Sequence, residues 1–588
     1  MGAKPFLGVS SSITGRQWRA RLDDERAAQA LEQRLGIPDL LARVMAARGV
    51  SAEAGPGYLE PRLRTDLPDP SSLRGVDEAA ARLARAIARG EGIALFGDYD
   101  VDGATSAALL LRFLRAVGSD ARLYVPDRLA EGYGPNAPAL RRLREEGAAV
   151  VVTLDCGIVA FDALAEAAAA GLDVIVVDHH LAAPALPPAH AIVNPNRLDD
   201  ATPHKQLAAV GVAFLLVVAV NRALRKGGRY AGRAEPDLAA WLDLVALGTI
   251  CDVVPLTGVN RALVAQGLKI LARRGNPGIA ALADVAGIAE PPAAYHAGFV
   301  LGPRINAGGR VGRADLGARL LSTDAADEAR DIAVELDRLN AERRAIEAAV
   351  EEQAVAQAAE QDAANPLVFV AAQGWHPGVI GIVASRLKER FRKPAIVVGI
   401  DADSGRGSGR SVAGVDLGAA VTAARQAGLL INGGGHPMAA GLTVALDKLG
   451  ALGDFLKERI ADKGFDPRVP AGLGIDGALA VGGASLDLFD QLERAGPYGS
   501  GNPAPRFVIA AARVVRADIV GTNHVRCILA GGDGRRLKAI AFRVGSSPLG
   551  DALAAGGGRK LHLAGTLRDD RWQGSRRIEF RIEDAAWA

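Results

Sequence analysis

Three aspartates alternate in the run Asp98-Tyr99-Asp100-Val101-Asp102-Gly103, and an acid with two imidazoles follows in Asp178-His179-His180. Carboxylates this crowded repel one another unless a cation neutralises them. Oxygen-rich clusters suit hard cations such as Mg²⁺ or Mn²⁺, and an imidazole tilts the choice toward Mn²⁺ or a borderline metal. Two cations about 3.5–4 Å apart would steady the attacking and leaving oxygens of a phosphoryl transfer. The carboxylates exceed what one ion requires, which favours two. A calcium loop is the competitor. Counted from Asp98, position six is Gly103, as an EF-hand wants, but position twelve is Leu109 and not Glu,.

Two more acids join the candidates. Asp155 lies in Leu154-Asp155-Cys156-Gly157, and Asp252 lies inside the apolar stretch 247–255. A buried, unpaired carboxylate is costly, so Asp252 needs a partner: a metal, or the end of a helix that it caps. Cys156 and Cys251 each adjoin a candidate ligand. They could serve zinc as thiolates, but a neighbour on extended backbone points the other way, and a structural role is expected.

The surrounding text says what positions these groups. Short apolar runs at 93–96, 149–154 and 174–177 end on Asp98, on Asp155 and on Asp178-His179-His180. A helical pattern at 79–89 leads into the first run, and helical patterns at 105–117 and 161–170 separate the runs. Apolar strands alternating with helices predict a parallel sheet covered on both faces. In such sheets, sites form outside the carboxyl ends of the strands. Three successive strands ending in acids or histidines are more than turn residues require.

Residues 325–362 contain no Gly and no Pro, and Ile332, Leu336, Leu339, Ile346 and Val350 fall on one stripe. This predicts a long connecting helix, with Ser322, Thr323 and Asp324 as candidate N-caps. A second α/β unit starts near 366, with strands at 367–371 and 395–400 and Gly-rich loops at 408–411 and 433–436. From about 464 the pattern becomes short strands (506–515, 525–529, 537–542, 577–582) that suit a small β-barrel. The expected organisation is an N-terminal lead-in at 1–70, a catalytic domain at 71–324, the connecting helix at 325–362, a smaller α/β domain at 363–463 and a barrel at 464–588.

The chain has 588 residues, 49% hydrophobic and 23% charged, as expected of a folded, soluble protein of about three or four domains,. Its net charge is +2, but from residue 506 onward 15 Lys or Arg face 8 Asp or Glu. That end could attract a polyanion. Three cysteines do not make a disulfide framework, and the start lacks the apolar core of a signal peptide,. The longest apolar stretch, 207–220, has 14 residues, short of the roughly 20 of a membrane span,. A cytoplasmic location away from membranes is expected.

The motifs carry a resemblance. Gly97-Asp98-Tyr99-Asp100-Val101-Asp102-Gly103-Ala104-Thr105-Ser106, Leu154-Asp155-Cys156-Gly157 and Asp178-His179-His180 resemble the signatures of the DHH phosphoesterase superfamily. Five further features narrow it to the RecJ family of single-strand-specific 5′→3′ DNA exonucleases. They are Leu301-Gly302-Pro303-Arg304-Ile305-Asn306-Ala307-Gly308-Gly309-Arg310, the run from Gly374-Trp375-His376-Pro377 to Ala384, Ser408-Gly409-Arg410-Ser411, Gly433-Gly434-Gly435-His436-Pro437-Met438, and Pro497-Tyr498-Gly499-Ser500-Gly501-Asn502-Pro503. The resemblance covers residue 70 to the C-terminus. It implies a DHH domain, a DHH-associated domain and an oligonucleotide-binding (OB) barrel. It implies that Asp100, Asp102, Asp155, His179 and Asp252 ligate Mn²⁺ or Mg²⁺, with Asp155 bridging and Asp98 a further ligand. His180 would stand by the scissile phosphate. Arg304, Asn306 and Arg310 would grip backbone phosphates, and His376, Ser408, Arg410, Ser411, Gly434, Gly435 and His436 would contact the nucleic acid opposite. Phe507 or Trp572 could stack on bases, or belong to the core.

The resemblance further implies release of 5′-mononucleotides in recombination and repair, by a monomer working with single-strand-binding protein and a helicase. Two other readings compete. One is a DHH phosphodiesterase of nano-RNA or cyclic dinucleotides, which the barrel and Arg304 and Arg310 argue against. The other is a replication scaffold without catalysis, which the intact acids and histidines argue against.

Overall fold

The structure is a computed structural model that describes residues 4–128, 130–467, 469, 471–555, 559–570 and 575–588. Its first sheet has five parallel strands: β1 (Ile93–Gly97), β2 (Arg122–Tyr124), β3 (Val150–Leu154), β4 (Asp173–Val177) and β5 (Ala191–Val193). They lie in the order β2-β1-β3-β4-β5. Every residue of β1 and β3 is buried. That is why these strands read as unbroken apolar runs, without the alternation of a half-solvated sheet. The strand order reverses between β1 and β3, and a crevice at such a point is where doubly wound sheets bind ligands.

Helices cover both faces. Helix Val76–Arg89 buries Val76, Ala79, Ala80, Leu83, Ala86 and Ile87 and stops at Gly90, whose φ is 65°,. Helices Val101–Ala116 and Ala209–Lys226 are buried along most of their length. The apolar stretch at 207–220 is therefore a core helix, and no helix among the described residues is long and apolar enough to cross a membrane.

The connecting helix runs over Ala326–Ala359, 34 residues, or about 50 Å at 1.5 Å per residue. Its first half (Ile332, Ala333, Leu336, Leu339) packs into the first domain's core. Its second half (Val350, Ala354, Ala358) packs under the second domain. Each large aliphatic side chain buried this way contributes about 1.5–3 kcal/mol, so both domains grip one rigid rod. None of the three candidate caps is the N-cap, which is Ala325 with no side-chain cap; Thr323 Oγ1 instead accepts from Ala325 N at 3.1 Å in the turn before the helix.

The second domain is a mixed sheet of β6 (Val368–Gln373), β7 (Ala395–Asp401), β8 (Ser404–Arg410), β9 (Asn432–His436) and β10 (Ala439–Ala445), in the order β9-β10-β8-β7-β6. The segments expected as Gly-rich loops at 408–411 and 433–436 are thus largely strand, because their glycines pair across β10.

Five strands then close a barrel: Phe507–Val520, His524–Ala530, Arg536–Ala541, Arg577–Trp587 and Lys560–Asp570, the last pairing back to the first. The N-terminal segment, expected as a lead-in, packs on the barrel. Its strand Gln17–Ala20 pairs in parallel with Gly472–Ile475, and Leu31, Leu41, Val44 and Met45 share a core with barrel residues Phe507 and Phe580. Phe507 is fully buried there and cannot stack on a base; Trp572 lies outside the described residues.

Candidate metal centre

The carboxyl ends of β1, β3 and β4 converge on one point. Asp100 is the N-cap of helix Val101–Ala116, its Oδ1 accepting from Asp102 N at 2.9 Å and Gly103 N at 3.1 Å. Asp102, in the first turn, is buried, and its two oxygens accept from Ala209 N at 2.7 Å and Val210 N at 2.9 Å, the start of helix Ala209–Lys226. Asp155, just past β3, holds a left-handed backbone with φ of 65°. For a residue with a Cβ this is strained. Asp252 caps the C-terminus of helix Leu242–Cys251.

His179 Nε2 stands in the middle, 3.3 Å from Asp155 Oδ1, 3.7 Å from Asp252 Oδ2 and 3.9 Å from Asp102 Oδ2. Ligand atoms of Asp102, His179 and Asp252 all lie within 4.8 Å of one another, and so do those of Asp98, Asp100 and Asp155. Asp98 Oδ1, Asp155 Oδ1, His179 Nε2 and Asp252 Oδ2 are buried and find no hydrogen-bond partner among the described residues. Such orphaned atoms are costly unless something fills them.

The electrostatics point the same way. Burial first, then the charge of Asp100, pushes Asp98 and Asp155 well above the usual carboxylate range. Burial and Asp100 lift Asp102 to about 7, and burial with Asp102 and Asp100 lifts Asp252 to about 9. Burial lowers His179 to about 4, which keeps its ring neutral as a metal ligand requires,. Four acids held against their own repulsion, around one neutral imidazole, fit divalent cations. The two cysteines do not join: Cys156 Sγ is directed at backbone oxygens of Leu154 and Phe96, and Cys251 Sγ at Ala297 O.

Asp178 aims the second histidine. It accepts from the backbone N–H of Ile158, His179 and His180 and lies 2.8 Å from His180 Nδ1. Burial opposes the His180 imidazolium, but the Asp178 bond and the charges of Asp178, Asp100 and Asp98 outweigh it, so its pKa is raised.

The second domain faces this point. His436 stacks on His180 with ring centroids 6.4 Å apart. Arg410 and His436 both pair with Ala439, one on each side, and Ser408 pairs with Gly441, whose other neighbour is Gly434. Ser408, Arg410 and His436 therefore share one face. Gly434 and Gly441 leave that face low, while Gly435, paired with Ala440, lies on the opposite one,. Arg410 Nη1 donates to Ser408 Oγ at 3.1 Å.

The remaining expected contacts divide. Arg310 is brought close: it donates to Gly378 O at 2.9 Å, and burial, with Arg128, Arg343 and Arg410 nearby, lowers its pKa to about 10. His376 Nδ1 accepts from Gly378 N beside it. Asn306 Oδ1 is buried and unpartnered among the described residues. Arg304 turns away. Residues Gly302–Val311 form a helix, and Arg304 Nε pairs with Asp337 of the connecting helix at 2.8 Å. Ser411 is fully buried, its hydroxyl donating to Val415 O at 2.7 Å, so it does not reach the cleft.

Two residues at the site gave no signal in the sequence. Arg128 lies over the Tyr99 ring at 5.0 Å and is close enough to lower the pKa of Arg410. Tyr133 donates to Asp155 O at 2.9 Å and stands 3.2 Å from His180 Nδ1. Both belong to the segment between β2 and helix Ala137–Glu145, with no spacing pattern to mark them. Asp178 was in view, but only the folded chain shows it turning inward.

Comparison with known proteins agrees with this architecture. Residues 92–249 match the DHH family N-terminal domain, 364–462 the DHHA1 domain and 475–584 the RecJ OB domain. The single-stranded-DNA-specific exonuclease RecJ of Salmonella typhimurium is 38% identical over 584 residues, spanning 97% of this chain and 99% of its own. Two crystal structures of RecJ from Thermus thermophilus, in complex with Mn²⁺ and with Mg²⁺, resemble the fold with TM-scores of 0.80 and 0.75. They are 31% and 30% identical, over 97% of this chain and 79% and 78% of theirs. Matched in all three domains and along nearly its whole length, this chain belongs to the RecJ family.

Proposed function

We propose that the protein is a divalent-metal-dependent exonuclease that degrades single-stranded DNA from its 5′ end to 5′-mononucleotides. One observation carries the chemistry: the atoms of Asp98, Asp155, His179 and Asp252 that lack a partner among the described residues belong to two adjoining clusters, which meet where His179 Nε2 stands 3.3 Å from Asp155 Oδ1. Asp102, His179 and Asp252 would hold one ion, and Asp98 and Asp100 another, with Asp155 between. When bound, Mn²⁺ or Mg²⁺ supplies Lewis-acid polarisation of the phosphodiester and of water.

The chain's own residues do the rest. Arg128, Arg310 and Arg410 place three guanidinium groups beside the acids, and a guanidinium fork matches phosphate oxygens. Asp178 ties His180 through Nδ1, leaving Nε2 for the scissile phosphate. The low glycine surface of β9 and β10 lets a strand lie close to the sheet. The basic barrel supports binding of the strand beyond the centre. The resemblance adds a monomer in the cytoplasm, acting in recombination and repair beside single-strand-binding protein and a helicase.

The test uses 5′- and 3′-labelled oligonucleotides, single- and double-stranded, with Mn²⁺, Mg²⁺ or EDTA. Mononucleotide release from the 5′ end of single strands, abolished by EDTA, is expected. Release from the 3′ end, equal activity on duplex, or activity in EDTA would overturn it.

A further inference from the structure

Asp252 ends helix Leu242–Cys251, its N–H donating to Gly248 O at 2.9 Å, and the chain turns sharply just after it. The residue after it, Val253, has a φ of 63° and is 68% exposed. The chain beyond is tied to the other half of the molecule as well as to its own domain. Leu256 N–H donates to Ser500 O at 2.7 Å, a backbone bond from the catalytic domain to the segment that leads into the barrel. The fit there is close. A Cβ at Gly499 would come 2.7 Å from Leu256 Cδ1, and one at Gly501 would come 2.8 Å from Pro255 Cβ. Gly501 also has a φ of 69°, so its turn suits glycine alone,.

This segment is itself anchored. Asn502, buried, donates from Nδ2 to Ala495 O at 3.0 Å and Pro497 O at 2.9 Å. Its Oδ1 accepts from Arg48 Nε at 2.9 Å and Tyr58 OH at 3.2 Å, both from the N-terminal segment. Arg261 reaches back from the catalytic domain to the carbonyls of Gly496 and Tyr58. On the catalytic side, Asn260 Nδ2 ties Pro255 O to Gln206 O, at 3.0 and 2.6 Å. Gln206 lies three residues before Ala209, whose N–H holds Asp102.

We propose that residues 499–502 position the Asp252 carboxylate, so that the barrel-bearing half of the chain sets the centre's affinity for one of its two cations. This rests on Asp252 being a metal ligand. The physics is that of an outer contact fixing a ligand: a carboxylate pre-set at its coordinating place loses less freedom on binding, and such contacts are worth about 10–100-fold in metal affinity. Gly499, Gly501 and Asn502 are positioning residues and touch no substrate. Coupling between sites is reciprocal. Metal loading should therefore stiffen the junction, and a strand held by the barrel should tighten that one cation.

The experiment is calorimetric titration of Mn²⁺ into the metal-stripped full-length protein, with circular dichroism as the check of folding. Wild type should take up two ions and Asp252→Ala should lose one of them. Gly499→Ala and Gly501→Ala should weaken that same ion by about 10–100-fold and leave the other unchanged. Leu256→Val added to Gly499→Ala opens room for the new methyl and should recover most of the loss. Asn502→Ala loosens the loop without adding volume and serves if the glycine variants do not fold. If Asp252→Ala loses an ion while every folded loop variant binds both as wild type does, or weakens both equally, the proposal is wrong. If Asp252→Ala itself binds two ions unchanged, the reading of the metal centre is wrong instead.

Discussion

His180 Nδ1 lies 2.8 Å from Asp178 Oδ1, so the last residue of the Asp178-His179-His180 triplet is aimed by the first. The carboxylate also accepts three backbone N–H groups. It thereby fixes both the turn after β4 and the ring that follows.

Asp178→Asn separates these tasks. Oδ1 of asparagine still accepts from the turn, while an amide replaces Oδ2 opposite Ile158 N–H and costs about 1–3 kcal/mol of stability. The charge that raises the His180 pKa is gone, so the ring should titrate at lower pH than in wild type, followed by its imidazole proton resonances. Turnover should fall about 10²–10⁴-fold, the range of a misdirected proton-transfer group. An unmoved His180 titration would show that Asp178 is not what sets it.

Metal removal should leave a pH-dependent weakness. In the metal-free protein Asp102 and Asp252 titrate at about 7 and about 9, above the roughly 3.9 of an unfolded aspartate. The folded state therefore binds the extra protons, and stability present at low pH is lost as pH rises through those values. In EDTA the melting temperature should drop between pH 6 and pH 9. With Mn²⁺ the carboxylates are neutralised and that drop should shrink. A melting temperature in EDTA that is flat over this range would contradict the repulsion among these carboxylates.

Asp155→Asn tests the same cluster from the side of function. It removes one buried, repelled charge, so in EDTA at pH 8 the variant should melt higher than wild type. It should gain little from Mn²⁺ and lose at least ~100-fold in turnover, equivalent to ~3 kcal/mol of barrier. Wild-type activity in this variant would remove Asp155 from the centre.

What the sequence made legible was whatever depends on short range and strong pattern. The strand ends that place Asp98, Asp155 and His179 follow from apolar runs broken by acids, and Asp252 stood out as an acid in apolar text. Long-range events were not legible. The strand Gln17–Ala20 is four residues long, and its partner lies more than 450 residues away. Residues 302–311 gave no helical pattern, because Gly302, Gly308 and Gly309 weaken helical propensity,. They form a helix because those glycines are where it packs against Cys251, Leu336 and Tyr99. That helix is what turns Arg304 toward Asp337. Arg128 and Tyr133 gave no signal because nothing in their spacing ties them to the acids. The strand Lys560–Asp570 was missed because its second half is polar.

Arg128 allows the most discriminating test of substrate binding. Arg310 and Arg410 are partly buried and touch the protein through Gly378 O and Ser408 Oγ, so replacing them would disturb the second domain's seat. Arg128 lies over the Tyr99 ring and can be removed with less harm to the fold. If it meets a phosphate, Arg128→Ala should raise KM for single-stranded DNA of every sequence alike. The slope of log affinity against log salt should become shallower by about 0.7, the share of one phosphate contact on a single strand. The loss should be largest at low salt and fade as salt screens the remaining contacts. Relief of repulsion should also raise the pKa of Arg310 and Arg410, since Arg128 lowers both. An unchanged salt slope with unchanged KM would place the DNA elsewhere. An unchanged slope with lower turnover would mean that Arg128 acts only on the reacting phosphate.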